Sequence, residues 1–193
     1  MYQRIAQTER LVIRTWQSDD KEPFAEMNRS PAVMEYLGPP LSRSKSDELV
    51  DRYISEQERR GFCPWVVELL DSNEFVGFVG LHAVPDYLPF APGVEVGWRL
   101  NQRFWGMGLA TEAARAALLT GFDTLKLDEI VSMTAVLNVR SQRVMERLGM
   151  SRNVDDDFEH SGVDVGSPLR AHVLYRLAAV RYNEGVRQRY QRL

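Results

Sequence analysis

Cysteine is almost absent from this 193-residue chain: Cys63 is the only one. A single thiol excludes an intramolecular disulfide and a cysteine-rich zinc site, and a reducing compartment is the default for such usage. Set among Phe62, Trp65, Val66 and Val67, Cys63 reads as a small buried side chain rather than as a nucleophile. Histidine is scarce as well. His82, His160 and His172 are the full set, and their scatter follows no metal-ligand spacing, so no metal is expected. No run of about 18 apolar residues occurs, and the opening Met1 to Arg10 has no apolar centre of signal-peptide length. The expectation is a soluble, cytoplasmic protein with no membrane partner.

Excess positive charge is missing too. A formal net charge of −3 argues against an extended nucleic-acid surface, so no nucleic-acid partner is expected, while a cationic amine is still free to be attracted locally. The basic end of the chain, with Arg181, Arg187, Arg189 and Arg192, reads as a solvated helix rather than a nucleic-acid arm. No internal repeat or linker interrupts the chain. Apolar residues at 44% and charged residues at 26% are those of a globular protein. The length suits a single domain over residues 1–193, with a core from about 8 to 178 and a tail over 179–193. The oligomeric state is not legible, and a homodimer is compatible with the sequence.

What is present alternates between helix and strand. Leu11–Arg14 reads as a strand, Ser18-Asp19-Asp20 as the caps of a helix through Phe24 and Met27, and Gly38-Pro39-Pro40 as its stop. A second helix is predicted from Ser44 or Ser46 to about Arg60, with Leu49, Tyr53 and Ile54 inward and Gly61 closing it. A hairpin follows: Trp65–Leu70, a turn at Asp71-Ser72-Asn73, then Phe75–Leu81. The loop from Pro85 to Pro92 carries the large aromatics Tyr87 and Phe90, and reads either as a pocket wall or as a packed connector. Val94, Val96, Trp98 and Leu100 alternate with Glu95, Gly97 and Arg99, the period of a strand with two unlike faces, so Glu95 points away from the Val94 and Trp98 face. Gly108 to Phe122 is a strong helix signal that ends near Gly121. Glu129–Val136 returns as a strand, and Asn138 caps a helix through Val144, Met145 and Leu148 to Gly149. Asp155 to Pro168 is loop-like, and His172–Leu177 is the last strand.

The sharpest feature is Arg103-x-x-Gly106-x-Gly108-x-Ala110 between a strand and a long helix. Glycines in that place let a diphosphate come within hydrogen-bonding reach of successive backbone N–H groups, at the positive end of the helix dipole. The bland alternative is a structural turn. A P-loop would need lysine after the last glycine, but Gly108 is followed by Leu109-Ala110-Thr111. A dinucleotide loop would need an early βαβ alternation and an acidic residue at the tip of the next strand; a hairpin precedes the loop, and Asp128 precedes its strand.

With Gly93–Leu100, Arg103-Phe104-Trp105-Gly106-Met107-Gly108-Leu109-Ala110-Thr111-Glu112-Ala113 and Asn138–Ser141 running to Gly149-Met150, nearly the whole chain resembles the GNAT superfamily of acyl-coenzyme-A-dependent N-acetyltransferases. Within it, the resemblance is to the branch that includes ribosomal-protein N-terminal acetyltransferases. It implies an α+β fold with a mixed, mostly antiparallel central sheet, flanked by helices, whose strands ending at Leu100 and Val136 splay apart. It implies acetyl-CoA as cosubstrate, with backbone around Trp98, Arg99 and Leu100 pairing with pantetheine. The pyrophosphate would lie on Arg103, Phe104, Trp105, Gly106, Met107, Gly108, Leu109 and Ala110. By the same resemblance Asn138 reaches the pantetheine arm, a role compatible with its being a helix cap.

The chemistry implied is direct attack of an amine on the thioester in a ternary complex, with a base for the amine proton and an acid for the thiolate. Glu95 matches the base of some relatives, against the reading of a solvated strand charge. Many relatives carry a tyrosine acid where this chain has Met145, so Ser141 is the substitute, against an ordinary first-turn serine; a thiol of pKa about 8.5 scarcely needs an acid. The acceptor would be an amine of a peptide or protein N-terminus or of a small molecule. Tyr87, Phe90 and His160, on two irregular segments, are the expected acceptor wall. The acidic run Asp155-Asp156-Asp157-Phe158-Glu159-His160 reads as a solvated face or as an attractor of a cationic acceptor. A non-catalytic acyl-CoA sensor of the same fold would fit the glycine loop equally well; Glu95 and Ser141 favour the enzyme.

Overall fold

The computed structural model describes residues 2–183. Two short antiparallel strands open it, β1 (Arg4–Gln7) and β2 (Leu11–Arg14). The first was not legible, because four residues of mixed character carry no usable period. Helices α1 (Lys21–Arg29), α2 (Pro31–Met34) and α3 (Arg43–Arg60) follow. The α3 cap is Ser42, whose hydroxyl accepts from Lys45 N, and not Ser44 or Ser46. Ser46 lies wholly inside, accepting from Asn28 Nδ2 at 2.8 Å. Val50 and Tyr53 are the buried apolar residues of α3, while Leu49 and Ile54 are half-buried at its margin. Gly61 ends the helix in the left-handed conformation, as expected.

Strands β3 (Pro64–Leu69) and β4 (Phe75–Ala83) form the hairpin, then come β5 (Val94–Leu100), α4 (Leu109–Leu119), β6 (Glu129–Ala135) and α5 (Val139–Arg147). The chain closes with β7 (Ser151–Arg152), β8 (Phe158–Glu159), β9 (Ala171–Ala178) and α6 (Ala179–Arg181). The stretch read as loop from Asp155 thus contains the two-residue strand β8, too short to leave a pattern. Helix α4 ends at Leu119, near Gly121 as expected, and passes into a wide turn over Thr120–Thr124; a Cβ on Gly121 would lie 2.5 Å from Ile130 Cδ1. Here glycine serves close helix–strand packing. Tyr182 is buried and stacks on Phe122 with centroids 4.5 Å apart. Arg181 is exposed, and Arg187, Arg189 and Arg192 lie outside the described residues.

The sheet order is β1-β2-β3-β4-β5-β6-β9-β7, with β8 also on β9, and every pairing is antiparallel except β5 with β6. The mixed, mostly antiparallel sheet flanked by helices is the expected fold. Alternation along β4 sorts the layers. Phe78 meets Phe24 of α1 and Tyr53 of α3, whereas Leu81 on the opposite face approaches Gly121 at the end of α4. Cys63 is fully buried, and burial pushes its thiol well above the usual range, which suits a packing residue.

One buried ionic cluster ties the first half together. Arg14 of β2 donates Nε to Glu68 of β3 at 2.7 Å and both Nη groups to Asp20, just before α1, at 2.8 Å. All three are buried, so removing the guanidinium would leave two carboxylates desolvated and uncompensated. Arg14→Ala is expected to lower stability by about 3–5 kcal/mol; urea denaturation reads it, and a loss below about 1 kcal/mol, the surface-pair range, would contradict it.

Candidate active site

Strands β5 and β6 share a single parallel register pair, Glu95 with Val131, and then diverge. Beyond that vertex the edge of β5 at Trp98–Leu100 and the edge of β6 at Ser132–Thr134 face each other unpaired, since β4 and β9 already occupy their other sides. Buried backbone polar groups require partners, so this slot suits an extended, amide-bearing molecule. It opens into a cleft of about 550 Å³ that Trp98, Arg99, Leu100, Asn138 and Ser141 help to line.

At the open end lies the glycine loop. Gly106 and Gly108 have φ near +80°, the left-handed region, and Gly108 is the N-cap of α4, where no side chain caps the helix. A Cβ on Gly106 would meet nothing within 4 Å, so the requirement there is conformational and the space above the loop is clear. The free N–H groups of the first helical turn fit a diphosphate. Gly106, Gly108, Ala110, Trp105 and Phe104 border the cleft, while Arg103, Met107 and Leu109 do not. Arg103 pairs with Glu74 at 2.5 Å and lies over the Phe104 ring; Met107 is exposed, and Leu109 is buried in the core. Trp105 Nε1 donates to the Leu100 carbonyl at 2.9 Å, bracing the loop against the strand.

Sequence reading missed the brace beneath this loop. Glu112, in the first turn of α4, would oppose an anion there, but Thr8 Oγ1 donates to it at 2.6 Å and Arg10 donates from N, Nε and Nη2 at 2.6–3.0 Å. Arg10 Nη1 also donates to the Met107 carbonyl at 3.0 Å. Burial works against the carboxylate, yet these bonds hold Glu112 below its ordinary pKa. Its charge is neutralised in place.

On the other side of the slot, Asn138 Oδ1 accepts from Ser141 N at 3.2 Å, the helix cap, while its Nδ2 donates to Thr134 Oγ1 at 3.0 Å. Ser141 is half-buried on the cleft wall, and Met145 is fully buried in the core.

At the vertex, Glu95 is buried. Its cross-strand partner is His82, whose Nε2 meets Glu95 Oε1. Oε2 is buried with no hydrogen-bond partner. Burial disfavours the imidazolium, but the Glu95 carboxylate and its hydrogen bond outweigh it and raise the His82 pKa. His82 was not foreseen as a site residue; only the β4–β5 register, set across the Pro85–Pro92 loop, brings it to Glu95. Tyr87, Phe90 and His160 do not line the cleft, yet the fold brings their two segments together. Tyr87 lies edge-on to His160 at 6.0 Å, and Phe90 to Phe158 at 5.2 Å. His160 and His172 lie tilted against each other with centroids 4.8 Å apart; burial lowers both pKa values, and both feel the Glu95 charge. Asp156 and Asp157 pair with Arg176 and Arg152, so two of the three aspartates of the acidic run are neutralised locally. Among the described residues no group of His, Cys, Asp and Glu is placed to hold a metal ion, and no helix is long and apolar enough to cross a membrane.

Residues 10–151 match the acetyltransferase (GNAT) domain. The chain belongs to the GNAT family. An uncharacterized N-acetyltransferase of Bacillus subtilis, YoaA, is 28% identical over 153 residues, 77% of this chain and 83% of that protein. The crystal structure of a GNAT-family acetyltransferase from Bacillus anthracis superposes with a TM-score of 0.76 at 26% identity, over 93% of this chain and 99% of that one. RimL, a ribosomal L7/L12 alpha-N-protein acetyltransferase, shares the fold with a TM-score of 0.74 at 16% identity, over 92% and 95% of the two chains. As a GNAT protein the chain is an acetyl-CoA-dependent N-acetyltransferase, and the uncapped α4 terminus and unpaired strand edges fit that cosubstrate.

The His82–Glu95 pair has a direct readout. In an NMR titration His82 should titrate above the ordinary histidine value of about 6.5, and Glu95→Gln should move it below, because burial then acts without the opposing charge. A raised pKa stabilises the fold fully below the unfolded value, and that contribution fades as pH rises through the folded value. Native His82 titrating at or below the ordinary value would dissolve the pair.

Proposed function

We propose that this GNAT protein transfers acetyl from acetyl-CoA to a primary amine by direct attack in a ternary complex. The acceptor is the α-amine of a peptide or protein N-terminus, or a comparably accessible small amine. The observation that carries the reading is Glu95 Oε2, a buried carboxylate oxygen without a partner at the vertex where the two strands part. An oxygen so placed accepts a proton from an amine entering the cleft. His82 holds the other oxygen, which orients the carboxylate.

The remaining residues fall into supporting roles. The strand edge at Trp98–Leu100 offers backbone groups to pantetheine amides, and the N–H groups following Gly106 and Gly108 offer donors to pyrophosphate. Asn138 fixes the first turn of α5 and keeps one amide hydrogen for the pantetheine arm. With Met145 buried in the core, the hydroxyl of Ser141 is the group on α5 offered to the departing sulfur, where hydrogen bonding suffices. Tyr87, Phe90 and His160 form the outer acceptor wall. An α-amine of pKa about 7.7–8.0 costs about 1 kcal/mol to deprotonate at pH 7, against about 4.6 kcal/mol for lysine at about 10.4. A single carboxylate base therefore suits the α-amine.

Glu95→Gln is expected to lower kcat at neutral pH by about 100-fold with little change in acetyl-CoA affinity; an unchanged pH–rate profile would return Glu95 to a structural role. Gly108→Glu places a side chain and a negative charge at a left-handed helix cap, and should abolish coenzyme binding by calorimetry. Retained affinity in a folded variant would reject the loop assignment. Acetyl-CoA binding without thiol release on any free-amine peptide would leave the sensor reading in force. Turnover confined to N-terminally blocked lysine peptides would exclude the α-amine.

A further inference from the structure

Glu95, Gly97 and Arg99 share one face of β5, the face toward α1 and α3. Arg99 borders the cleft, and its guanidinium lies over the Phe78 ring at 5.4 Å. Nη1 donates to Asn28 Oδ1 at 2.6 Å, and Asn28, fully buried, is itself fixed by its bond to Ser46 of α3. No carboxylate pairs with Arg99 among the described residues. Nε is buried without a partner, and Nη2 makes no hydrogen bond there. Burial pulls the Arg99 pKa down, and the Tyr53 phenol opposes that shift without reversing it.

A cation held this way is costly. A guanidinium taken out of water is ordinarily matched by an anion, as Arg14 is by Asp20 and Glu68. A neutral side chain would tie β5 to α1 through Asn28 without that penalty, so a purely structural role leaves the charge unexplained. The two donors left open, Nε and Nη2, form the side-on edge of guanidinium that binds a carboxylate through two parallel hydrogen bonds. Asn28 occupies the other end through Nη1. Four residues of extended strand place the Cα atoms of Glu95 and Arg99 about 13 Å apart, and both residues line one cleft. An acceptor whose amine lies at Glu95 would present an acidic group to Arg99.

We propose that Arg99 is the specificity anchor of the acceptor site and that the preferred acceptor is an amine bearing a carboxylate, such as a peptide with an acidic residue close to its free N-terminus. The inference rests on acetyl transfer to an amine at Glu95, and the test separates the two. The probes are free-amine, C-terminally amidated tripeptides in which Asp is scanned through each position of an alanine background, each matched by Asn. Binding is measured by calorimetry in the dead-end complex with coenzyme A, and turnover by thiol release with acetyl-CoA. At one position Asp should bind about tenfold or more tighter than Asn, the range for a charge-assisted pair. Arg99→Gln should erase that preference, leaving the Asp peptide bound no tighter than its Asn match. Arg99→Lys, which keeps the charge but loses the paired donors, should retain part of it. A wild-type protein indifferent to Asp against Asn, or a preference that survives Arg99→Gln, overturns the anchor even if turnover is fast. Selective binding of the Asp peptide without turnover sustains the anchor and overturns acetyl transfer to that amine instead.

Discussion

The divergence of β5 and β6 is the constraint on which the site depends. Parallel strands adjacent in a sheet ordinarily keep their ladder along their length, but here the ladder holds only at Glu95 and Val131. Each strand is secured on its far side by an antiparallel neighbour, β4 or β9, so the parting does not unravel the sheet. It leaves two facing backbone edges with unmet hydrogen-bonding capacity, and it sends the chain beyond each strand to opposite sides of the gap. The glycine loop and α4 begin beyond one strand, and α5 begins beyond the other. The closed end puts Glu95 at the vertex.

Charges are treated in two ways in this fold. In the frame they are matched: Arg14 lies between Asp20 and Glu68, and Glu112 is held by Thr8 and Arg10. The first turn of α4 is where backbone donors and the helix dipole favour an anion, and the Glu112 carboxylate there is already matched. Along the cleft face of β5 the charges are left incomplete. Glu95 has one oxygen bound and one orphaned, and Arg99 has one donor bound and its side-on edge open. Unsatisfied buried polar atoms are rare and costly, and these two lie on the same strand face, on the same cleft.

Much of this was legible along the chain. The alternation from Val94 to Leu100, the helix after Gly108 and the Asn138 cap are local: they depend on period, propensity and side-chain-to-backbone bonds within a few residues. The errors came where a local signal met a tertiary demand. Ser46 looks like a cap but is recruited by Asn28, leaving Ser42 to cap α3. Strands β1 and β8 are too short to carry a pattern and exist because a neighbouring strand pairs with them.

The sequence by itself therefore determined the family, the order of the main elements, the phosphate-loop candidate and Glu95 as a polar residue on a strand face, since each is written within a short window. Only the tertiary structure decided what Glu95 and Arg99 face. His82 reaches Glu95 through cross-strand register, Arg10 reaches Glu112 across 102 positions, and Asn28 reaches Arg99 across 71. Those pairings depend on how sheet and helices pack, and a buried charge takes its chemistry from the groups that packing places around it.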